Sequence, residues 1–156
     1  MLEFIVANNI LAEVVLVLGT MFLSLLGSGK DLQKKVFLFL AAVLLVVVGF
    51  VVRKYYDLGY VVSLFGFFVS NQYIVFSKFI VVIFAVISIV LAMGYVQKNF
   101  LFKPSEFSIL LLISVLGMFV LLSANDLFSL YCGLELQAIC LYVLTSCDRD
   151  NIRSSE

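Results

Sequence analysis

Five apolar stretches, each close to the length of a helix that crosses a bilayer, fix what this chain can become. A hydrocarbon core about 30 Å thick takes roughly 20 helical residues to cross, with a working range of about 17–25. Residues 10–26, 36–52, 75–96, 107–122 and 127–144 meet or approach that length. Composition agrees: 64% of the residues are hydrophobic and 13% charged, against roughly 45–50% and about 25% in soluble domains. The reading is an all-α membrane protein of about five transmembrane helices, with residues 1–156 as a single transmembrane domain. Ten basic residues balance ten acidic ones, so nothing points to nucleic acid, and the expected surroundings are lipid and other membrane subunits.

The breaks between stretches carry their own signals. Pro104 suits a position just ahead of a helix, with Ser105 as the cap of the fourth helix. Ser123-Ala124-Asn125-Asp126 reads as a tight turn, with Asp126 capping the fifth helix. Residues 1–9 contain Glu3, Asn8 and Asn9 and read as an interfacial lead-in, without the basic and small-residue pattern of a cleaved signal. Residues 58–70 are apolar but too short to span. Gly59, Gly66 and alternating bulky side chains there predict an extended or re-entrant segment, which hydrocarbon tolerates only where protein or water satisfies its backbone. No internal repeat, low-complexity tract or soluble domain is visible.

The short loops orient the chain. Lys30, Lys34, Lys35, Lys98, Lys103, Arg149 and Arg153 fall on one side, and Arg53, Lys54 and Lys78 on the other. Seven against three is a positive-inside bias that places the N-terminus outside and the C-terminus inside.

Polar chemistry is sparse. The chain has no histidine, so histidine metal ligation and histidine base catalysis are excluded. Cys132, Cys140 and Cys147 lack metal-ligand spacing and read as small buried hydrophobes. No phosphate-binding glycine loop is present, so no cofactor is expected on this chain.

Glu135 stands out because it interrupts the run 127–144 near its centre. Insertion scales charge roughly 2.5–3.5 kcal/mol for comparable groups at mid-membrane, so such residues usually face a partner or a water path. Helical spacing puts Tyr131, Glu135, Ala138 and Tyr142 on one face, with Gln137 off that stripe. A carboxyl there has a proton affinity that responds to its partner, as a proton relay requires. A glutamine would serve equally well as interhelical glue without a charge to bury. Tyr131, Gln137, Tyr142 and Lys78 are accessory candidates, although Lys78 also fits a side chain snorkelling to the interface. Glu13 and Glu106 suit the positive ends of their helices.

The run from Ser123 to Leu144 resembles the fifth transmembrane helix of the subunit 2 family of NADH dehydrogenase (ubiquinone), an antiporter-like membrane subunit of respiratory complex I. Gly133-Leu134-Glu135-Leu136-Gln137 followed by Tyr142-Val143-Leu144 carries the likeness. Glu106-Phe107, Leu110-Leu111-Leu112 and Leu116-Gly117-Met118 resemble the preceding helix. Leu64-Phe65-Gly66-Phe67-Phe68-Val69 and Phe76-Ser77-Lys78-Phe79 resemble the approach to the third, with Asn71 where the family often has aspartate.

The resemblance implies that Glu135 pairs with a lysine on a later, broken helix, coupling quinone reduction elsewhere in the complex to proton translocation. The lysine-bearing helices are not within these residues. An N-terminal fragment of a split subunit is therefore expected, partnered by the C-terminal fragment on a separate polypeptide and by neighbouring antiporter-like and small membrane subunits. The expected location is the mitochondrial inner membrane, N-terminus in the intermembrane space and C-terminus in the matrix, or a bacterial plasma membrane. The other readings are a cation/proton antiporter, a hydrogenase membrane subunit, or a structural anchor that does not pump.

The loop charges predict that cysteines introduced at positions 32 and 151 react from the same side of sealed vesicles. Reactivity from opposite sides would overturn the five-helix topology.

Overall fold

The computed structural model describes residues 10–27, 34–54, 60–63, 66–96 and 104–145. Within them lie α1 (Leu11–Gly27), α2 (Lys34–Lys54), β1 (Val61–Ser63), β2 (Phe68–Ser70), α3 (Gln72–Val96), α4 (Pro104–Ser123) and α5 (Leu127–Thr145). Helices α2 to α5 are long and apolar enough to cross a membrane, and α1 is a shorter apolar helix. The architecture is an all-α membrane bundle of five helices with one small hairpin. Residues 1–9, Gly59 and Cys147 lie outside the described residues, as do Lys30, Lys98, Lys103, Arg149 and Arg153.

Pro104 is the first residue of α4 rather than the residue before it, and Ser105 lies inside the helix instead of capping it. Proline at the first helical position loses nothing, because that N–H has no intrahelical acceptor and the fixed φ is already helical. Helix α3 starts at Gln72, a turn earlier than expected, because Asn71 caps it. The Asn71 side-chain oxygen accepts from Gln72 N at 2.7 Å, and its carbonyl accepts from Val75 N at 3.0 Å. Asparagine and aspartate cap equally well, which gives the asparagine a physical reason for standing there.

Residues 61–63 and 68–70 are extended, as the alternation across 58–70 predicts. The antiparallel hairpin pairs Val61 with Ser70, Val62 with Val69 and Ser63 with Phe68. Gly66 adopts φ +96°, a conformation that side-chain-bearing residues rarely take. The α4–α5 turn holds the hairpin. Asn125 N donates to Phe67 O at 2.9 Å, Asn125 Nδ2 donates to Gly66 O at 2.8 Å, and Phe68 bridges to Ala124. In this way the exposed backbone of a short apolar segment finds its partners within the protein.

Helix α4 is the centre of the bundle and touches α1, α2, α3, α5 and β2. Leu16, Leu38, Leu45, Ile89, Leu112 and Phe119 are fully buried around it. Between helices in lipid, close packing rather than the hydrophobic effect supplies attraction, and small residues let backbones approach. Gly117 of α4 and Gly133 of α5 do this for each other. A Cβ added to Gly133 would lie 2.8 Å from Leu121 N, and one added to Gly117 would lie 2.9 Å from Gln137 N. Both obstacles are backbone atoms, which move only if the helices part.

Gly133→Ala is therefore expected to cost about 1–3 kcal/mol, the range for overpacking. It should lower the thermal unfolding temperature of the protein in mild detergent, while Gly94→Ala, whose added Cβ meets nothing within 4 Å, should not. Equal stability of the two variants would show that α4 and α5 are not in backbone contact.

Candidate functional carboxylates

Two carboxylates are placed in opposite ways. Glu135 lies on α5, about 12 Å along the axis from Leu127 at 1.5 Å per residue. Gly133 and Gln137 press against α4, and Ser129, Gly133 and Cys140 are the buried residues of α5. A residue two positions from Gly133 and two from Gln137 is turned about 200° from them. Glu135 consequently faces away from the bundle and is exposed. Tyr131, one turn earlier on the same face, interacts electrostatically with it. Tyr131 and Tyr142 are exposed on the same outward face, with Ala138 half-buried between them.

Gln137 therefore belongs to the helix interface rather than the Glu135 face, and its backbone is the surface on which Gly117 rests. Cys140 is buried as expected, whereas Cys132 is exposed. Its position beside Gly133 turns it to the flank of α5, away from the α4 contact. Among the described residues no group of histidine, cysteine, aspartate or glutamate side chains is arranged to hold a metal ion.

The second carboxylate overturns an expectation. Lys78 does not snorkel to the interface; it is 5% exposed, and its Nζ donates to Glu13 Oε1 at 2.5 Å. The same ammonium sits 5.5 Å from the centre of the Phe119 ring, within range of a cation–π contact. Glu13 is in the first turn of α1, where the helix dipole favours an acid, but its main partner is the lysine. Three helices are thereby joined around one buried charge pair: α1 through Glu13, α3 through Lys78 and α4 through Phe119. Sequence reasoning missed the pair because the partners are 65 positions apart and each has an ordinary explanation at its own helix start. Lys78 is also unavailable to Glu135, being held on the far side of α4.

With Lys78 buried, two exposed cations, Arg53 and Lys54, remain on the hairpin side. Asp126 stands at the cap of α5, its carbonyl accepting from Leu130 N at 3.0 Å. Several hydroxyls are absorbed by their own helices. Thr20 Oγ1 donates to Val17 O at 2.8 Å, Ser77 Oγ to Tyr73 O at 2.9 Å and Ser88 Oγ to Phe84 O at 2.9 Å. Such groups add no polarity between helices.

Removing one member of a buried pair leaves the other charge uncompensated, at a cost of about 3–5 kcal/mol, whereas replacing both with matched neutral groups is often tolerated. Lys78→Met alone should sharply reduce thermal stability in detergent, and adding Glu13→Gln should restore most of it. Two independent, additive losses would sink the pairing.

No family model matches the chain. Individual relatives do. The chain is 36% identical over 155 residues to NADH-quinone oxidoreductase subunit N of Bartonella bacilliformis, covering 94% of this chain and 30% of that protein. It is 33% identical over 149 residues to the subunit N of Rhodobacter capsulatus, with the same shares, 94% and 30%. With that of Pelagibacter ubique it shares 37% identity over 151 residues, 96% of this chain and 31% of that protein. The chain thus spans about 30% of the length of the relatives it matches. A likeness that runs across nearly the whole chain and includes the Glu135 helix leaves no doubt of kinship: by sequence the chain belongs to the NADH-quinone oxidoreductase subunit N family, as the counterpart of about a third of that protein.

Proposed function

We propose that the chain serves in the proton-translocating membrane arm of an NADH–quinone oxidoreductase, with Glu135 as a relay carboxyl and no redox centre of its own. The observation that carries this reading is the outward placement of Glu135 near the middle of an apolar span. A charge is tolerated there only opposite a cation, a hydrogen-bonding partner or water. Among the described residues Tyr131 is the neighbour that meets it, and a phenol hydroxyl can donate one hydrogen bond but cannot neutralise the charge.

The cation then comes from helices that complete the relatives' length, seated on the Tyr131–Tyr142 face of α5. Two observations support this placement. Helix α5 is the least covered of the four spans, with 17% of its window buried against 28–39% for the others. Its exposed side chains also include polar groups, Glu135 with Tyr131 and Tyr142, which lipid would not solvate. A lysine on the covering helices would complete a pair whose proton affinity shifts with the lysine's position or charge. The setting is a mitochondrial inner membrane or a bacterial plasma membrane, with the hairpin end outside.

In the assembled complex, Glu135→Gln is expected to preserve complex levels and NADH oxidation by the peripheral centres while lowering coupled proton translocation. Positioned proton-transfer groups contribute about 10²–10⁴-fold to their steps. Glu135→Ala, which removes the side chain's hydrogen-bonding capacity together with its charge, should reduce assembly as well. Normal pumping by the glutamine variant at normal complex levels would reduce Glu135 to a packing residue. The covering helices are tested separately, by crosslinking from Ala138→Cys and mass spectrometry. The expected product joins residue 138 to a lysine-bearing membrane segment of subunit N type, on this chain's continuation or on a second polypeptide. A chain of these 156 residues that pumps protons unaided in liposomes would overturn the need for that segment.

A further inference from the structure

The Glu13–Lys78 pair is incompletely satisfied, and what is left over has a definite chemistry. The Glu13 side chain is 9% exposed and that of Lys78 6%. Glu13 Oε1 takes one ammonium proton, while Glu13 Oε2 is buried with no hydrogen-bond partner. An ammonium has three N–H donors; one goes to Oε1 and the Phe119 face can accommodate another. Ser123 Oγ is likewise buried and unpartnered. It lies one turn beyond Phe119 on the same face of α4, toward the hairpin end, because residues four apart stack along a helix. A serine hydroxyl ordinarily bonds back to its own helix, as Ser77 and Ser88 do here, so its freedom at this position is informative.

An unpaired buried oxygen carries the full penalty of its lost hydration, which is larger when the group is charged. Buried water typically makes about three hydrogen bonds to groups of this kind. Water suits the site because it can donate to Glu13 Oε2 and accept from Lys78 Nζ. A metal cation does not suit it, because the ammonium already occupies the carboxylate's positive side. Among residues whose burial is described, Glu13 and Lys78 are the only buried charged side chains. Asp126 at this end is exposed on the α4–α5 turn, and Arg53 and Lys54 are exposed at the end of α2.

We propose that the Glu13–Lys78 pair binds ordered water between Glu13 Oε2 and Ser123 and acts as a second proton-exchange site, near the hairpin end of the membrane. Glu13 is about 3 Å along the axis from Leu11 and Lys78 about 9 Å from Gln72, so the pair is shallower than Glu135. The proton reaching Oε2 through that water is drawn from the aqueous phase at the hairpin end. It forms the neutral acid, weakens the hold on the Lys78 ammonium, and on its return restores carboxylate and ammonium as they began. Only O–H bonds are made and broken. The inference deepens the proton-translocation reading and rests on it for its role, but not for the water.

The test uses the whole assembled complex. A cryo-EM map at water-resolving resolution should show density within hydrogen-bonding distance of Glu13 Oε2 and extending toward Ser123 Oγ. Its absence overturns the proposal. Glu13→Gln with Lys78→Met, which removes both charges together, should restore assembly yet slow coupled proton translocation by about tenfold, within the range of a lost proton-transfer group. Ser123→Ala, which keeps the packing, should slow it less and weaken the water density. Wild-type pumping by the assembled double variant would make the pair purely structural. Should the double variant not assemble, Ser123→Ala decides: wild-type pumping with unchanged water density overturns the proposal. Glu135→Gln measured in parallel separates the two readings, since normal pumping there defeats the Glu135 relay while leaving the water at Glu13 to be judged by the map.

Discussion

A charge in hydrocarbon has to find its opposite inside the protein, and among the described residues Glu13 and Lys78 do so at the meeting point of three helices. Glu13 and Lys78 bring α1 and α3 together, and the aromatic ring of Phe119 supplies the third wall from α4. Without the lysine, the glutamate would be an unneutralised acid on a short helix. Without the glutamate, the lysine would have to extend to the interface and leave its burial beside Phe119. Attraction of this kind also selects among packings, because apolar helices in lipid have little else to distinguish one neighbour from another. Whether a buried pair adds net stability is a separate matter, since desolvation consumes much of the Coulomb gain.

The second constraint is steric and sets what the ion pair cannot. Gly117 and Gly133 let α4 and α5 approach until backbone meets backbone, a fit that admits little rotation of either helix. That contact decides the direction of Glu135. With Gly133 and Gln137 committed to α4, the residue between them is turned outward whatever its own preference. Tyr131 and Tyr142 follow from the same helical phase. Helix α4 thus stands between the two carboxylates, with the paired one on its inner side and the outward one beyond α5. A shift of α4 would be felt at both, because Phe119 and Gly117 are two residues apart on it.

Much of the fold was legible because bilayer thickness is so strict a ruler. The spans at 36–52, 75–96, 107–122 and 127–144 differ from the observed helices mainly at their ends, where Asn71 and Pro104 act as caps or starts that hydropathy does not weigh. The extended character of residues 61–63 and 68–70 could be read from the alternation around them and from Gly66. Its attachment through Asn125 could not, since an asparagine in a turn explains itself locally and the hydrogen bonds to Gly66 and Phe67 span more than fifty residues. The interruption at Glu135 was visible because a single acid stands out in an apolar run, and the structure turns it outward. Glu13 and Lys78 each had a bland explanation: a helix dipole for the first and snorkelling for the second. Three-dimensional proximity removed those explanations together. Gln137 was drawn toward the functional list by its nearness in sequence to Glu135, although the 100° step of a helix separates neighbours two apart almost completely.

The contrast between the two carboxylates bears on how such a chain can take part in moving protons. A pair closed within one bundle, like Glu13 with Lys78, exchanges charge only by opening itself or by meeting water, so its response is local. A carboxylate turned outward, like Glu135, is governed by whatever packs against it and can respond to events on another element. Coupling over distance needs an element with two arrangements that both ends bias. In this chain α4 lies between the two, meeting the Lys78 ammonium through Phe119 and the Gly133–Gln137 backbone of α5 through Gly117. The glycine contact makes it poorly suited to small graded motions, since packed backbones either fit or separate. The bundle is therefore better described as a rigid mount that holds one carboxylate at a fixed phase than as the moving part. Under the proposed function, the movement that changes the surroundings of Glu135 would belong to helices seated on α5.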